Sequence, residues 1–236
     1  MPSLSTRPTD RPKRVGRRVF IGMVALGAAG VAFGARVQSV VGSALGSGLG
    51  GLLPGGDRFR IYTITDSFPQ IARSSYRLQV TGMVDTPLEL TVDDIEAMPR
   101  TKLVKDFQCV TGWRVPQVHW EGVRLSDVLD AAGLHASAGG VEFESYDGAD
   151  TESLTLDQAQ RPDVIVAYRM LSAPITTEHG GPVRLYVAPM YGYKSLKWLS
   201  AIRVVKEPLP GYWENNGYSN DAWVGSSNGR SDKPIG

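Results

Sequence analysis

Cysteine is nearly absent from this chain: Cys109 is the sole one among 236 residues. That excludes an internal disulfide, a c-type haem attachment and any all-cysteine iron–sulfur site built by this chain alone. An excess of one charge is lacking too, because the formal net charge is +1. A track of neutralised phosphates needs a basic stripe on the folded part, so nucleic acid is not an expected partner. The basic excess is confined to the start, where Arg7, Arg11, Lys13, Arg14, Arg17 and Arg18 face Asp10 alone. Such an asymmetry points to targeting. Long hydrophobic runs are scarce as well. The uncharged stretch GMVALGAAGVAFGA, ending at Arg36, is a signal-peptide core or a marginal membrane span, since full spanning takes roughly 17–25 residues.

Residues 1–16 are rich in Pro, Arg, Thr and Ser without an apolar period, and read as a disordered tail. Arg17-Arg18-Val19-Phe20-Ile21 then leads into the apolar stretch, a pattern that resembles a twin-arginine export signal. Positive residues before the stretch put the N-terminus in the cytoplasm and the rest outside, membrane-anchored or exported. Ala32-Phe33-Gly34 is a weak cleavage site, so an uncleaved anchor and a processed leader both remain open. Residues 37–57, rich in Gly, Ser and Leu, read as a linker or a frayed continuation of the anchor helix. The domain boundary falls between residues 57 and 58, with a single folded domain over 58–236.

Short β-like runs dominate that domain: FRIYTI, YRLQVTGMV, KLVKDFQCV, GVEFESY, DVIVAYRM, VRLYVAP and LSAIRVVKE, each bounded by Gly, Pro, Asp or Asn. Short helices interleave. One spans Thr91 to Met98, with Thr91 as cap and Asp93 and Asp94 favouring its first turn. Another spans Ser126 to Ala132, with Ser126 as cap and Gly133 as a left-handed stop. The expected class is α+β, with mixed or antiparallel sheets and no doubly wound parallel sheet. Gly211 to Gly236 reads as an extended arm packed by Trp213 and Trp223.

Cys109 ends a strand-like run and opens the turn FQCVTGW, where backbone geometry changes. Alone it is open to two readings, a small buried hydrophobe or a ligand. A second segment bears on the choice: His179-Gly180-Gly181-Pro182-Val183-Arg184, followed by Gly192-Tyr193-Lys194-Ser195-Leu196-Lys197-Trp198. Cations with a hydroxyl between them in a glycine-containing loop suit an anionic group, Arg184 as a bidentate fork and Lys194 and Lys197 as point charges. The alternative is a solvated basic face.

The segments CVTGW, VHWEGVRLSDVL, HGGPVR, GYKSLKWL and GYWENNGY occur in that order. Together they resemble the sulfite-oxidase-type molybdopterin oxidoreductases, in particular bacterial single-domain members such as the periplasmic methionine-sulfoxide reductase catalytic subunit. The resemblance runs from about Tyr76 to Tyr218. It implies a sulfite-oxidase-like fold, a molybdenum–molybdopterin cofactor and Cys109 as the sole protein ligand to the metal, which a soft thiolate suits. It further implies cofactor contacts at His179, Arg184, Lys194, Ser195 and Lys197, with Ser145 at a strand end as another. His179 is then a hydrogen-bonding residue and not a metal ligand. Three departures lie near the metal. Sulfite oxidases follow their cysteine with a Gly-Asn-Arg-like stretch, where this chain has Thr111-Gly112-Trp113-Arg114. The methionine-sulfoxide reductases carry an acidic residue two places on, where Thr111 stands, and an asparagine near the domain start, where IYTIT offers Tyr62, Thr63 and Thr65.

The resulting expectation is two-electron oxygen-atom transfer on a small substrate, sulfite or an S-oxide or N-oxide, outside the cytoplasm. Electrons are exchanged with a separate haem or quinol-linked partner, and the N-terminal helix supplies a membrane tether. Two rivals make different demands: a cofactor-free binding module of the same fold, and a cysteine hydrolase with Cys109 as nucleophile and His119 or His179 as base. His119 otherwise reads as a structural or edge-strand residue, and His135 as exposed.

Overall fold

The computed structural model describes residues 59–65 and 67–225. The expected leader, anchor helix and linker over 1–57 lie outside the described residues. Ten strands carry the domain: β1 (Leu78–Gly82), β2 (Leu88–Leu90), β3 (Arg100–Gln108), β4 (Arg114–Arg124), β5 (Gly140–Ser145), β6 (Thr151–Thr155), β7 (Val164–Met170), β8 (Ala173–Pro174), β9 (Arg184–Val187) and β10 (Leu199–Val205). Among the described residues the helices are short: α1 (Val92–Ala97), α2 (Leu125–Ala132), α3 (Leu156–Ala159) and α4 (Tyr212–Asn215). None of them is long and apolar enough to cross a membrane.

The strands form two five-stranded sheets. One runs β2-β1-β10-β5-β6, with β1 and β10 parallel and the other pairs antiparallel. The other runs β3-β4-β7-β8, with β9 also paired to β7, antiparallel throughout. Sheets of mixed direction with short helices match the α+β expectation. Because the chain passes repeatedly between the sheets, both contribute to one core. Leu78, Val80, Phe143 and Ile202 of the first sheet join Val164, Val166, Leu185 and Val187 of the second, with Ile95, Leu125 and Leu129 from the helices.

The run VIVAYRM is apolar on both faces because β7 is covered on both. Val164, Val166 and Tyr168 enter the large core, while Ile165, Ala167 and Met170 join a second cluster with Phe107, Trp113, Val118, Trp120 and Tyr186. Strand alternation repeats this on β9, where Leu185 and Val187 face the large core, and Arg184 and Tyr186 face the aromatic cluster. The second face of this sheet is the wall on which the functional site is built.

Local rules account for much of the rest. Thr91 and Asp94 close a reciprocal capping box at α1, and Thr155 and Gln158 do the same at α3. Gly133 ends α2 at φ 74, as its freedom from a Cβ predicts. Other expectations need correction. Ser126 lies inside α2 and its N-cap is Arg124, which makes no side-chain cap bond. FRIYTI is not a strand: residues 59–64 run along a cavity and do not pair with a sheet. The longest strand, β4, went unread because Pro116 and Gly122 resemble breakers. Pro116 is exposed, and Gly122 sits where the β4–β7 register shifts. The arm from Gly211 also holds a helical turn, α4.

At Gly122 an added Cβ would lie 2.3 Å from the Val166 carbonyl oxygen. Gly122→Ala therefore forces β4 away from β7, at an expected cost of about 1–3 kcal/mol, in the range of overpacked core sites. A lowered urea midpoint with an unchanged m-value checks this.

Candidate cofactor site

A cavity of about 290 Å³ opens against the aromatic face of the second sheet. That is near the lower end of the roughly 300–1,000 Å³ typical of sites for small organic ligands. Its walls come from six places: residues 59–64, the β3–β4 hairpin tip, the turn after β5, the loop before β9, the loop after it, and the start of the C-terminal arm.

Cys109 is at the hairpin tip and lines the cavity. Its N–H donates to the Trp113 carbonyl at 2.9 Å, and its carbonyl accepts from Gly112 N–H at 3.0 Å. These two bonds close the turn with Gly112 at φ 93, so the thiol is held on a short, doubly braced loop. Its Sγ is 3.2 Å from Thr111 Oγ1, and Trp113, stacked on Phe107, forms the adjacent wall.

Arg184 is buried at the inner end. Its Nη1 donates to the His179 carbonyl at 2.7 Å, its Nη2 to the Ser195 carbonyl at 2.6 Å and its Nε to the Leu185 carbonyl at 3.3 Å. The guanidinium also lies 5.8 Å from the Phe107 ring centroid and 5.6 Å from that of Trp120. Burial pulls its pKa down to about 10, which leaves it charged at neutral pH. The residue thus binds the loops on either side of β9 together and presents its charge to the cavity. His179 lines the cavity with its ring edge-on to Phe59, centroids 5.1 Å apart. Ser195 lines it as well, its hydroxyl accepting from Val187 N–H at 3.0 Å.

Lys197 reaches the cavity and donates to the Tyr62 carbonyl, with its ammonium 4.5 Å from the Trp198 ring centroid. Burial first, then the Arg184 charge, lower its pKa to about 8, against the opposite pull of Asp150 and Asp147. Both aspartates line the cavity. Burial and the Asp147 charge push Asp150 up to about 7, and its Oδ1 has no hydrogen-bond partner.

The expected site residues therefore divide. Cys109, His179, Arg184, Ser195 and Lys197 surround one cavity. Ser145 and Lys194 do not line it. Ser145 braces the turn behind the wall: its hydroxyl donates to Asp147 Oδ1 at 2.5 Å and accepts from Asp150 N–H at 3.0 Å. Lys194 is buried against Glu152 at 2.5 Å and Glu214 at 2.6 Å. Arg114 points elsewhere, exposed and 3.5 Å from Asp106. His119 is exposed on β4, and His135 pairs with Asp85 at 3.3 Å. Sequence reasoning missed Asp147, Asp150 and Glu178 and the arm residues Trp213 and Tyr218, all cavity-lining. The DGAD turn directly after a strand was the available signal for the aspartates.

The residues present suit a molybdenum–pterin group. Among the described residues no cluster of three or more His, Cys, Asp or Glu could itself hold a metal ion. A metal at Cys109 would draw its remaining ligands from an organic carrier. The thiol at one side of the cavity, and cations with an unsatisfied carboxylate elsewhere on its wall, match a soft metal, a phosphate and a heterocycle bearing N–H donors.

Comparison with known proteins bears on the family of the chain. The oxidoreductase molybdopterin binding domain matches residues 65–213. An uncharacterized oxidoreductase, YuiH, of Bacillus subtilis is 37% identical over 171 residues, covering 68% of this chain and 86% of that protein. A sulfite oxidase of Arabidopsis thaliana is 30% identical over 178 residues, covering 61% of this chain and 45% of that enzyme. The chain thus spans less than half the length of the plant enzyme. The sulfane dehydrogenase SoxCD from Paracoccus pantotrophus shares the fold, with a TM-score of 0.55 at 23% identity over 59% of this chain and 40% of that one.

Two outcomes separate the lysines. Lys194→Met strands two buried carboxyls and should cost about 3–5 kcal/mol in chemical denaturation, whereas Lys197→Met should cost much less. Inorganic phosphate should bind the apoprotein more weakly as pH rises from about 7, where Asp150 gains its charge, through about 8, where Lys197 loses its own. Calorimetric titration across that range checks this, and Lys197→Met should remove the upper part of the dependence.

Proposed function

Since the chain belongs to the oxidoreductase molybdopterin binding domain family, we propose that Cys109 holds molybdenum in a cavity where Arg184, Lys197, His179 and Ser195 seat the pterin and its phosphate. The activity proposed is two-electron oxygen-atom transfer on a small substrate. The single observation that carries this reading is a lone thiol held on a braced hairpin tip in the same cavity as a buried arginine and a partly discharged lysine.

Bound there, the cofactor supplies a two-electron couple and exchange of an oxygen atom with the substrate. The chain's own residues do the rest. The hairpin's two backbone bonds fix the turn that carries the Cys109 thiol, which would hold the metal. Arg184, anchored by three carbonyls, supplies a positive charge that does not reorganise on loading. Lys197 gains a full charge once an anion offsets its burial. The aromatic walls, Phe59, Phe107 and Trp113, exclude water and so strengthen these attractions.

The substrate we favour is an uncharged S-oxide or N-oxide over sulfite, because Arg114, the first cation after Cys109 in sequence, lies outside the cavity against Asp106. We further propose that the domain works on the extracytoplasmic face, tethered or exported through residues 17–36, with a haem or quinol-linked protein as electron partner. The twin-arginine-like segment and the absence of any haem-attachment cysteine pair support this.

Protein made in a host competent for molybdenum-cofactor synthesis should contain about one molybdenum per chain by elemental analysis, and Cys109→Ser should lose most of it. Full occupancy without the thiol refutes the ligand assignment. Among sulfite, S-oxides and N-oxides assayed with an artificial electron carrier, an oxide should be turned over and sulfite should not.

A further inference from the structure

The sulfur of Cys109 has one polar neighbour among the described contacts, and it is a hydroxyl: Thr111 Oγ1 lies 3.2 Å from Sγ. The backbone of the cysteine is already committed. Its N–H donates to the Trp113 carbonyl, and its carbonyl accepts from Gly112 N–H and, at 3.3 Å, from Gln108 Nε2. The nearby cations are engaged elsewhere: Arg114 with Asp106, Arg184 with three carbonyls, and Lys197 with the Tyr62 carbonyl. Whatever tunes the sulfur from the protein side therefore comes through Thr111.

The hairpin tip sets this pair up. The bond from Gly112 N–H to the Cys109 carbonyl, with Gly112 at φ 93, closes the backbone around Thr111. Threonine is branched at Cβ, so its χ1 is stiff, and the hydroxyl is held near the sulfur. Thr111 also lines the cavity while remaining exposed. Loss of its hydroxyl thus strands no buried partner, and the effect is confined to the sulfur.

The direction of the bond follows from the state of the ligand. A thiol and a hydroxyl can each donate, but a sulfur that binds a metal is a thiolate and carries no proton. Thr111 is then the donor. A hydrogen bond to a metal-bound sulfur draws negative charge away from the metal, and such bonds are one of the levers by which a protein sets a reduction potential.

We propose that Thr111 is a positioning residue for the metal centre, its hydroxyl donating to the Cys109 thiolate and raising the reduction potential of the bound molybdenum. This rests on the molybdenum reading above. The consequence is for electron supply: a thiolate relieved of part of its charge favours the reduced metal, which can then be filled by a mild donor such as a quinol-linked protein. Thr111 transfers no proton and forms no covalent bond; it acts on the metal through the sulfur alone.

The test compares Thr111→Val, which keeps the shape and removes the hydroxyl, with Thr111→Ser, which keeps the hydroxyl. Both variants should carry as much molybdenum as the wild type and unfold at the same urea midpoint. In a redox titration of the loaded protein, the ratio of reduced to oxidised metal at a fixed ambient potential should fall about tenfold in Thr111→Val, a shift of about 30 mV for a two-electron couple. The sulfur-to-metal charge-transfer absorption should move to longer wavelength, because a thiolate without its hydrogen bond gives up electrons more readily. Thr111→Ser should restore both. Full molybdenum with an unmoved potential and absorption in Thr111→Val overturns the proposal and leaves the cofactor reading standing. Equal changes in the two variants, or loss of molybdenum from Thr111→Val, overturn it too, since the role is then one of shape. Wild-type protein without molybdenum overturns the cofactor reading and this proposal with it.

Discussion

The site depends on a buried positive charge with no carboxylate bound to it. Arg184 is enclosed by the second sheet and solvated by the carbonyls of His179, Ser195 and Leu185 together with two aromatic faces. A guanidinium paired with a carboxylate would be neutralised, and its field would not extend into the cavity. Carbonyl dipoles stabilise the charge without cancelling it. The same three bonds decide where the neighbouring loops lie. The strand β9 puts the guanidinium between them, so the histidine loop and the serine–lysine loop are set by one side chain, and the electrostatics and the shape of the cavity have a common cause.

Lys194 and Lys197 are three residues apart and play opposite parts. Lys194 is consumed by Glu152 and Glu214, and in being consumed it fastens α4, and with it the aromatic residues Trp213 and Tyr218, to the body of the domain. Lys197 makes no carboxylate bond among the described contacts and remains responsive, held at about 8 by its burial. Lys194 ends the turn Gly192–Lys194, and Lys197 follows beyond its cap, Ser195. At Gly192 a Cβ would strike the Phe107 ring at 2.5 Å, so the close seating of this loop on the aromatic wall requires glycine.

How much of this was legible in the chain follows from what each signal encodes. Apolar runs exposed the strands buried on a face, and the capping residue of α1 was plain because capping is local. The strand β4 was hidden because a proline at a solvent-facing position and a glycine at a bulge both read as punctuation. Motif order led to Cys109, His179, Arg184, Ser195 and Lys197, which do share a cavity. It did not separate them from Lys194, because a string of letters does not say which of two lysines in one turn faces inward. Partners distant in sequence decide that: Glu214 stands 20 residues from Lys194 and was read only as part of an arm. Asp150 was invisible for the same reason, since its importance lies in an oxygen that lacks a partner, and a missing contact has no sequence signature.

Two titratable groups of the cavity wall, Lys197 and Asp150, explain how such a site can exist before it is filled. A cavity built for a highly charged anion would, if its cations were fully charged and its wall free of acids, repel itself when empty. Here the cost is limited from both sides. Lys197 can shed its proton near pH 8 and Asp150 can lose its own near pH 7, so the empty wall relaxes by small proton movements instead of by unfolding. An anion entering reverses the balance, drawing Lys197 to full charge and holding Asp150 neutral, so loading takes up protons. Arg184, whose pKa stays near 10, does not take part in this exchange. It is the fixed charge around which the adjustable ones move, which is why the loops it ties can be set in advance of the ligand they receive.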